Sequence, residues 1–171
     1  MVSLVLGGAA SGKSAFAEDL IFAAPSRPLV YAATMEPWGE EAQKRIARHR
    51  ALRAGKGFVT FEAPRAANLL EIPEGGAVLL ECLTTLTANE CFSVGFDGAE
   101  KRLLAGVEAL LRRCGDAVLV SGDLFADGYT YPPETERYLS VLAAVNGELA
   151  ARADRVIEVC CSIPIFHKGE A

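Results

Sequence analysis

The chain has 171 residues, 51% of them hydrophobic and 23% charged, with a net charge of -5 and a sequence pI near 5.1. That length suits a single domain, residues 1–171, with a hydrophobic core of its own. The acidic balance argues against binding to nucleic acid or to an anionic membrane surface, since both need a basic field.

Residues 2–6 are a short apolar run ending in two glycines, and they read as a buried strand. The next residues, Gly7 to Ser14, spell GGAASGKS. This is a full G-x4-G-K-S phosphate-loop match, set between that strand and a helix expected over residues 12–23. Glycines let the backbone curl until its N–H groups face phosphate oxygens. The helix N-terminus adds the positive end of its dipole. Gly7, Gly8, Ala9, Ala10, Ser11 and Gly12 are therefore assigned to a nucleotide cradle. Lys13 is assigned to the β- and γ-phosphates, and the Ser14 hydroxyl to Mg²⁺.

Residues 29–34 are the second strand candidate. Residues 40–52 are rich in helix formers and stop before Gly55. From Ala42 to Phe61 there is no acidic residue, although Lys44, Arg45, Arg48, Arg50, Arg53 and Lys56 all fall there. Helix positions four apart share a face, so Glu41, Arg45, His49 and Arg53 form one stripe, with Arg48 beside it. Arginines bind and neutralise phosphate. They also disfavour a further positive charge on the imidazole, and a neutral imidazole beside a nucleotide is a nucleophile for phosphorus. The stripe alone leaves two readings open: nucleotidyl transfer through His49, or a plain phosphate clamp. Trp38, just before this helix, is expected to pack against the helix start rather than stack on a ligand.

Residues 58–62 alternate like a strand and stop at Pro64. Residues 77–83 are an apolar strand candidate bounded by Gly75 and Gly76. Residues 99–114 have helical periodicity and meet Gly115. Residues 117–121 read as another buried strand, and residues 133–153 as a long amphipathic helix with proline at its start. A last strand over residues 155–161 resumes after Ser162 and runs to His167, which is expected at the surface. The least regular stretches are 36–39, 90–98 and 123–133. The last of these is the candidate for a loop that covers the substrate. Uniformly apolar strands alternating with helices imply an α/β fold, a mostly parallel sheet with helices on both faces. A phosphate loop also needs an acid at the end of a neighbouring strand. Glu81, after AVLL, and Asp123, after AVLVSG, both qualify as metal ligands, Glu81 first.

The five cysteines form no CxxC pair. They read as reduced thiols, Cys160 and Cys161 among the core of the last strand, which points to the cytoplasm. No zinc site is expected. MVSLVLGG has no basic segment and is not read as a signal peptide. No apolar run approaches the ~18–20 residues of a membrane helix.

Taken together, the motifs carry a resemblance. GGAASGKS is similar to GGxRSGKS, and YAAT with RIARHRALR to Y-[IA]-A-T…R-I-x-x-H-R-x-x-R. FVTFEAP, with Glu62, is similar to W-x-T-x-E-x-P, and VLLECLT with Asn89 to VLLDCLT…TN. Asn146, Leu149, Ala150, Ala153, Asp154, Val156, Val159 and Pro164 keep the spacing of N-x-x-L-A-x-x-A-D-x-V-x-x-V-x-x-G-[LI]-P-[LI]. Over most of its length the chain thus resembles the bifunctional adenosylcobinamide kinase / adenosylcobinamide-phosphate guanylyltransferases of cobalamin nucleotide-loop assembly.

The resemblance implies a RecA-like P-loop fold, a homotrimer, ATP and GTP as substrates with Mg²⁺, and a cobinamide-type corrinoid as acceptor. It implies phosphorylation of the aminopropanol hydroxyl, then transfer of GMP from GTP through a guanylylated histidine. His49 matches that histidine, and Arg45, Arg50, Arg53 and Glu62 match the motif positions around the nucleotide. The chain also departs from the pattern. Ala10 stands for an arginine, Glu81 for an aspartate, and Gly122-Asp123 for Asn-Glu. Two other readings keep the P-loop: a kinase for another small alcohol, and a nucleotide-binding paralogue without turnover.

Overall fold

The computed structural model describes residues 1–37, 39–125 and 128–170, without the side chains of Glu41, Arg45 and Leu52. The expectations for Trp38 and for the Arg45 side chain lie outside the described residues, as does part of the 123–133 loop. Among the described residues, seven strands form one sheet in the order β3-β2-β4-β5-β1-β6-β7. They are β1 (Val2–Leu6), β2 (Leu29–Ala33), β3 (Val59–Glu62), β4 (Ala77–Glu81), β5 (Asp116–Val120), β6 (Arg155–Cys160) and β7 (Ile163–Lys168). The first six run parallel, and β7 pairs antiparallel with β6. β2 and β5 are buried at every position, as both-face coverage requires of a parallel sheet.

Among the described residues the α-helices are α1 (Lys13–Ala23), α2 (Gly39–Arg53), α3 (Leu83–Asn89), α4 (Ala99–Arg113) and α5 (Pro133–Arg152). On one face α1 buries Ala17 and Ile21 against Val5, Leu79, Val118 and Ile157. On the other, α3, α4, α5 and a 3-10 turn (Ala66–Glu71) bury Leu69, Leu83, Leu103, Leu110, Val145 and Leu149 over Leu4, Leu80 and Leu119. The alternation in sequence thus becomes a two-sided core.

Three local readings differ from the sequence expectation. The strand expected over residues 77–83 ends at Glu81, and Leu83 already begins α3. The stretch expected to be irregular from Glu90 continues α3 through one π turn (Glu90–Val94), closed by Gly95 at φ 134°. A Gly95 N–H to Glu90 carbonyl bond of 2.9 Å seals it. Third, the last strand is a hairpin. The chain reverses at Cys161 and Ser162, with φ of 51° and 64°, the left-handed pair that a tight two-residue hairpin needs. Cys160 and Cys161, expected in the core, are therefore exposed at its tip. His167 is exposed on β7, paired with Glu158 at 2.9 Å.

Candidate active site

The loop after β1 has the curled backbone that its glycines allow. Ala10 and Gly12 take positive φ, 55° and 93°, and the Ser11 N–H donates to the Gly8 carbonyl. Gly12 is the N-cap of α1 and supplies no side-chain cap, leaving the helix end to an anion. The β6–β7 turn packs on this loop: the Ser162 N–H donates to the Ser11 carbonyl at 2.8 Å. A Cβ on Gly12 would stand 2.5 Å from Ser162 Oγ, and one on Gly7 would stand 2.7 Å from the Val159 carbonyl. Space thus requires both glycines, and at Gly12 the positive φ requires one as well. Lys13 Nζ donates to the Gly8 carbonyl at 2.9 Å.

Glu81 ends β4 directly across from the start of α1. Ser14 Oγ donates to Glu81 Oε1 at 2.5 Å, and the Tyr31 hydroxyl donates to Oε2 at 2.7 Å. Hydroxyl and carboxylate are hard oxygen donors, and Mg²⁺ is commonly bound through one or two protein oxygens with phosphates and water completing its shell. Ser14 and Glu81 fit that requirement. Among the described residues no cluster of three or more His, Cys, Asp or Glu forms a closed metal cage.

Asp123, the second acid candidate, sits elsewhere. Its backbone N–H donates to the Gly7 carbonyl, and its exposed carboxylate accepts from the Phe125 N–H at 3.3 Å. It lines a separate cavity of about 270 Å³ with Asn146, Glu158 and His167. The structure joins Ser14 to Glu81 rather than to Asp123.

A cavity of about 240 Å³ opens beside the loop and is lined by Lys13, Ser14, Glu81, His49, Arg53 and Glu62, among others. The named residues come from four elements: α1 (Lys13, Ser14), β3 (Glu62), β4 (Glu81) and α2 (His49, Arg53). Arg53 anchors that helix. Its guanidinium carbon lies 3.6 Å from the Tyr31 ring centroid, and the residue is 8% exposed, with Nε lacking a partner. A buried guanidinium with an unused donor is a strong anion site. His49 is half-buried, one turn before Arg53. Arg50, in contrast, points to the rim and pairs with Glu62 at 2.6 Å; together with Arg53 these two line an adjoining groove. The arginine cluster therefore divides: Arg53 faces the cavity and Arg50 steadies Glu62 at its edge.

Sequence reasoning missed several supports. Thr34 Oγ1 accepts from the Cys82 N–H and donates to the Cys82 carbonyl. Asn89 Nδ2 donates to the carbonyls of Thr34 and Pro64, at 2.8 and 2.9 Å. These bonds tie the ends of β2, β3 and β4 together under the cavity. YAAT and Asn89 were both visible as motif positions, but their bonding partners were not. Tyr31, at 3% exposure, was visible as the first position of YAAT, but its bond to Glu81 was not. Its burial pushes the hydroxyl pKa up, helped by the Glu81 charge and bond and opposed by Arg53.

The profile of the CobU family, described as cobinamide kinase / cobinamide phosphate guanyltransferase, matches residues 3–166. The chain belongs to this family. It is 31% identical to the bifunctional adenosylcobalamin biosynthesis protein CobU of Salmonella typhimurium, over 98% of this chain and all of that one. It is 34% identical to the bifunctional adenosylcobalamin biosynthesis protein CobP of Pseudomonas aeruginosa, over 99% of each. As a CobU-family member the chain is a kinase and nucleotidyltransferase. Its fold is shared more widely. A KaiC-like protein from Pyrococcus horikoshii matches 92% of this chain and 71% of its own at a TM-score of 0.50 and 13% identity. The flagellar accessory protein FlaH of Methanocaldococcus jannaschii matches 99% and 78% at 0.50 and 11%. At such identities the likeness concerns the RecA-like P-loop fold alone. Among the described residues no helix is long and apolar enough to cross a membrane.

Proposed function

We propose that the cavity beside the phosphate loop serves both family reactions on adenosylcobinamide. In the first, the aminopropanol hydroxyl takes the γ-phosphoryl group of ATP or GTP. The loop N–H groups and Lys13 hold the phosphate chain, and their positive charge stabilises the charge that develops on the transferring group. Ser14 and Glu81 would hold Mg²⁺, which would supply positive charge against the phosphate oxygens when bound. In the second reaction a nitrogen of the His49 imidazole attacks the α-phosphorus of GTP. The bond between that phosphorus and the bridging oxygen breaks, and pyrophosphate leaves. The phosphate of adenosylcobinamide phosphate then attacks the same phosphorus, which frees His49 and yields adenosylcobinamide-GDP. Arg53 neutralises the phosphates through this exchange, and Arg50 with Glu62 shapes the rim.

The observation that supports this reading is the shared cavity: His49 and Arg53 line the same space as Lys13 and Ser14. The same reading takes residues 1–171 as one P-loop domain acting as a cytoplasmic homotrimer, and leaves Asp123 outside the metal shell. The kinase half is tested with γ-labelled ATP, Mg²⁺ and adenosylcobinamide. Labelled adenosylcobinamide phosphate is expected from wild type and from His49→Ala, and none from Lys13→Ala. Equal product from Lys13→Ala, or none from wild type, contradicts the reading.

A further inference from the structure

Glu81 is longer by one methylene than the aspartate of the resembled motif, so its carboxylate has an extra rotatable bond to be fixed. Both of its oxygens are fixed by hydroxyls, Oε1 by Ser14 at 2.5 Å and Oε2 by Tyr31 at 2.7 Å. Tyr31 is itself held on three sides. Arg53 covers its ring face at 3.6 Å, Phe58 meets it edge-on at 5.8 Å and 78°, and its hydroxyl is committed to Glu81. It lies in β2 between β3 and β4, paired with Leu79 and Thr60. Tyr31 is the residue that touches both the acid beside the phosphate loop and the arginine of the basic helix.

We propose that Tyr31 is a positioning residue of the phosphoryl-transfer reaction: its hydroxyl locks Oε2 of Glu81, so that Oε1 is the oxygen presented to Ser14 and to Mg²⁺. This assignment rests on the reading of Ser14 and Glu81 as the magnesium pair. A bond of this kind to a charged carboxylate is among the stronger hydrogen bonds in proteins. Its removal frees the carboxylate to turn without altering the phosphate loop or Lys13.

The test uses the full chain and reads nucleotide binding rather than turnover. A fluorescent GTP analogue is titrated first in EDTA and then against rising Mg²⁺. Tyr31→Phe keeps the ring, and with it the Arg53 and Phe58 contacts. It is expected to bind the analogue in EDTA within about twofold of wild type and to need about tenfold more Mg²⁺ for the metal-dependent gain. Glu81→Gln is expected to abolish that gain, and Tyr31→Phe added to Glu81→Gln is expected to change nothing further. An unchanged Mg²⁺ requirement in Tyr31→Phe, with Glu81→Gln behaving as expected, overturns the role of Tyr31 alone. A Mg²⁺ gain that survives Glu81→Gln overturns the underlying metal reading instead.

If Tyr31→Phe does not fold, wild-type protein with 3-fluorotyrosine at its four tyrosines gives a second reading. One fluorine resonance is expected to move when Mg²⁺ is added to the nucleotide-bound protein. Four unmoved resonances overturn the proposal.

Discussion

Gly12→Ala meets a conformational and a steric demand at once in the phosphate loop. The residue sits at φ 93°, in left-handed space that costs an alanine about 1–2 kcal/mol. Its new Cβ would also stand 2.5 Å from Ser162 Oγ and 3.1 Å from Ser162 Cα. Rotating the serine hydroxyl relieves only the first of these contacts. The backbone contact forces the β6–β7 turn to move, which for an overpacked site costs about 1–3 kcal/mol. The sum, about 2–5 kcal/mol, falls either on nucleotide affinity or on folding. At about 1.4 kcal/mol per tenfold, the first case is a loss of about 30- to 4,000-fold. The second is a fall of about 4–20 °C in Tm for a chain of this length. Loop residues 8–10 are exposed, so the loop yields before the sheet does and the loss is expected mainly in affinity. Titration with a fluorescent nucleotide beside a thermal melt reads both. Gly8→Ala is the internal control for folding, because no atom lies within 4 Å of its Cβ position; its Tm is expected to match wild type. A Gly12→Ala protein within threefold of wild-type affinity and 1 °C of wild-type Tm would refute the reasoning.

Two further predictions concern groups away from the cavity. Glu90 is 3% exposed and accepts from Arg102 Nε at 2.8 Å and from the Ala66 N–H at 2.9 Å. Arg102→Met strands that carboxylate at a cost of about 3–5 kcal/mol, so Tm is expected to fall by about 6–20 °C. Adding Glu90→Gln should restore part of it, and a fall below 2 °C in the single variant contradicts the account. Asp116 accepts from Ser26 Oγ at 2.6 Å, a bond that leads in holding its pKa below the usual carboxylate value. A depressed folded pKa stabilises above the unfolded value, about pH 4, and the benefit is lost as pH falls through the folded one. The Tm gap between wild type and Asp116→Asn is therefore expected to be constant from pH 7 to 5 and to shrink below pH 4. A gap that widens on acidification would contradict the assignment.

What the sequence made legible follows from how local each signal is. The phosphate loop is eight consecutive residues, each with a fixed task, and the strand and helix around it are apolar runs of the expected length. The stripe of His49 and Arg53 depends only on helical spacing, so it too was readable. The choice between Glu81 and Asp123 was not settled by the sequence, because both follow apolar strands. It turns on which carboxylate the fold brings to Ser14: Glu81 accepts from its hydroxyl, whereas Asp123 accepts from the Phe125 N–H. The hairpin at Cys161-Ser162 was hidden because neither residue is the glycine or asparagine that usually marks left-handed turns. Contact with the phosphate loop holds it there, at 2.8 Å from the Ser162 N–H to the Ser11 carbonyl. α3 was missed because Leu83–Asn89 is short and threonine-rich, with weak helix propensity; its packing over the sheet outweighs that.

His49 is proposed to carry GMP. The direct test is incubation of the protein with α-labelled GTP and Mg²⁺, followed by denaturing electrophoresis and peptide mapping. The account predicts about one label per chain at saturation, with chemistry that identifies a phosphorus–nitrogen bond: labile in acid, stable in alkali. The label should map to the peptide holding His49, disappear in His49→Ala and be discharged by adenosylcobinamide phosphate. Wild-type protein that binds GTP without acquiring label, or label that persists in His49→Ala, would contradict it.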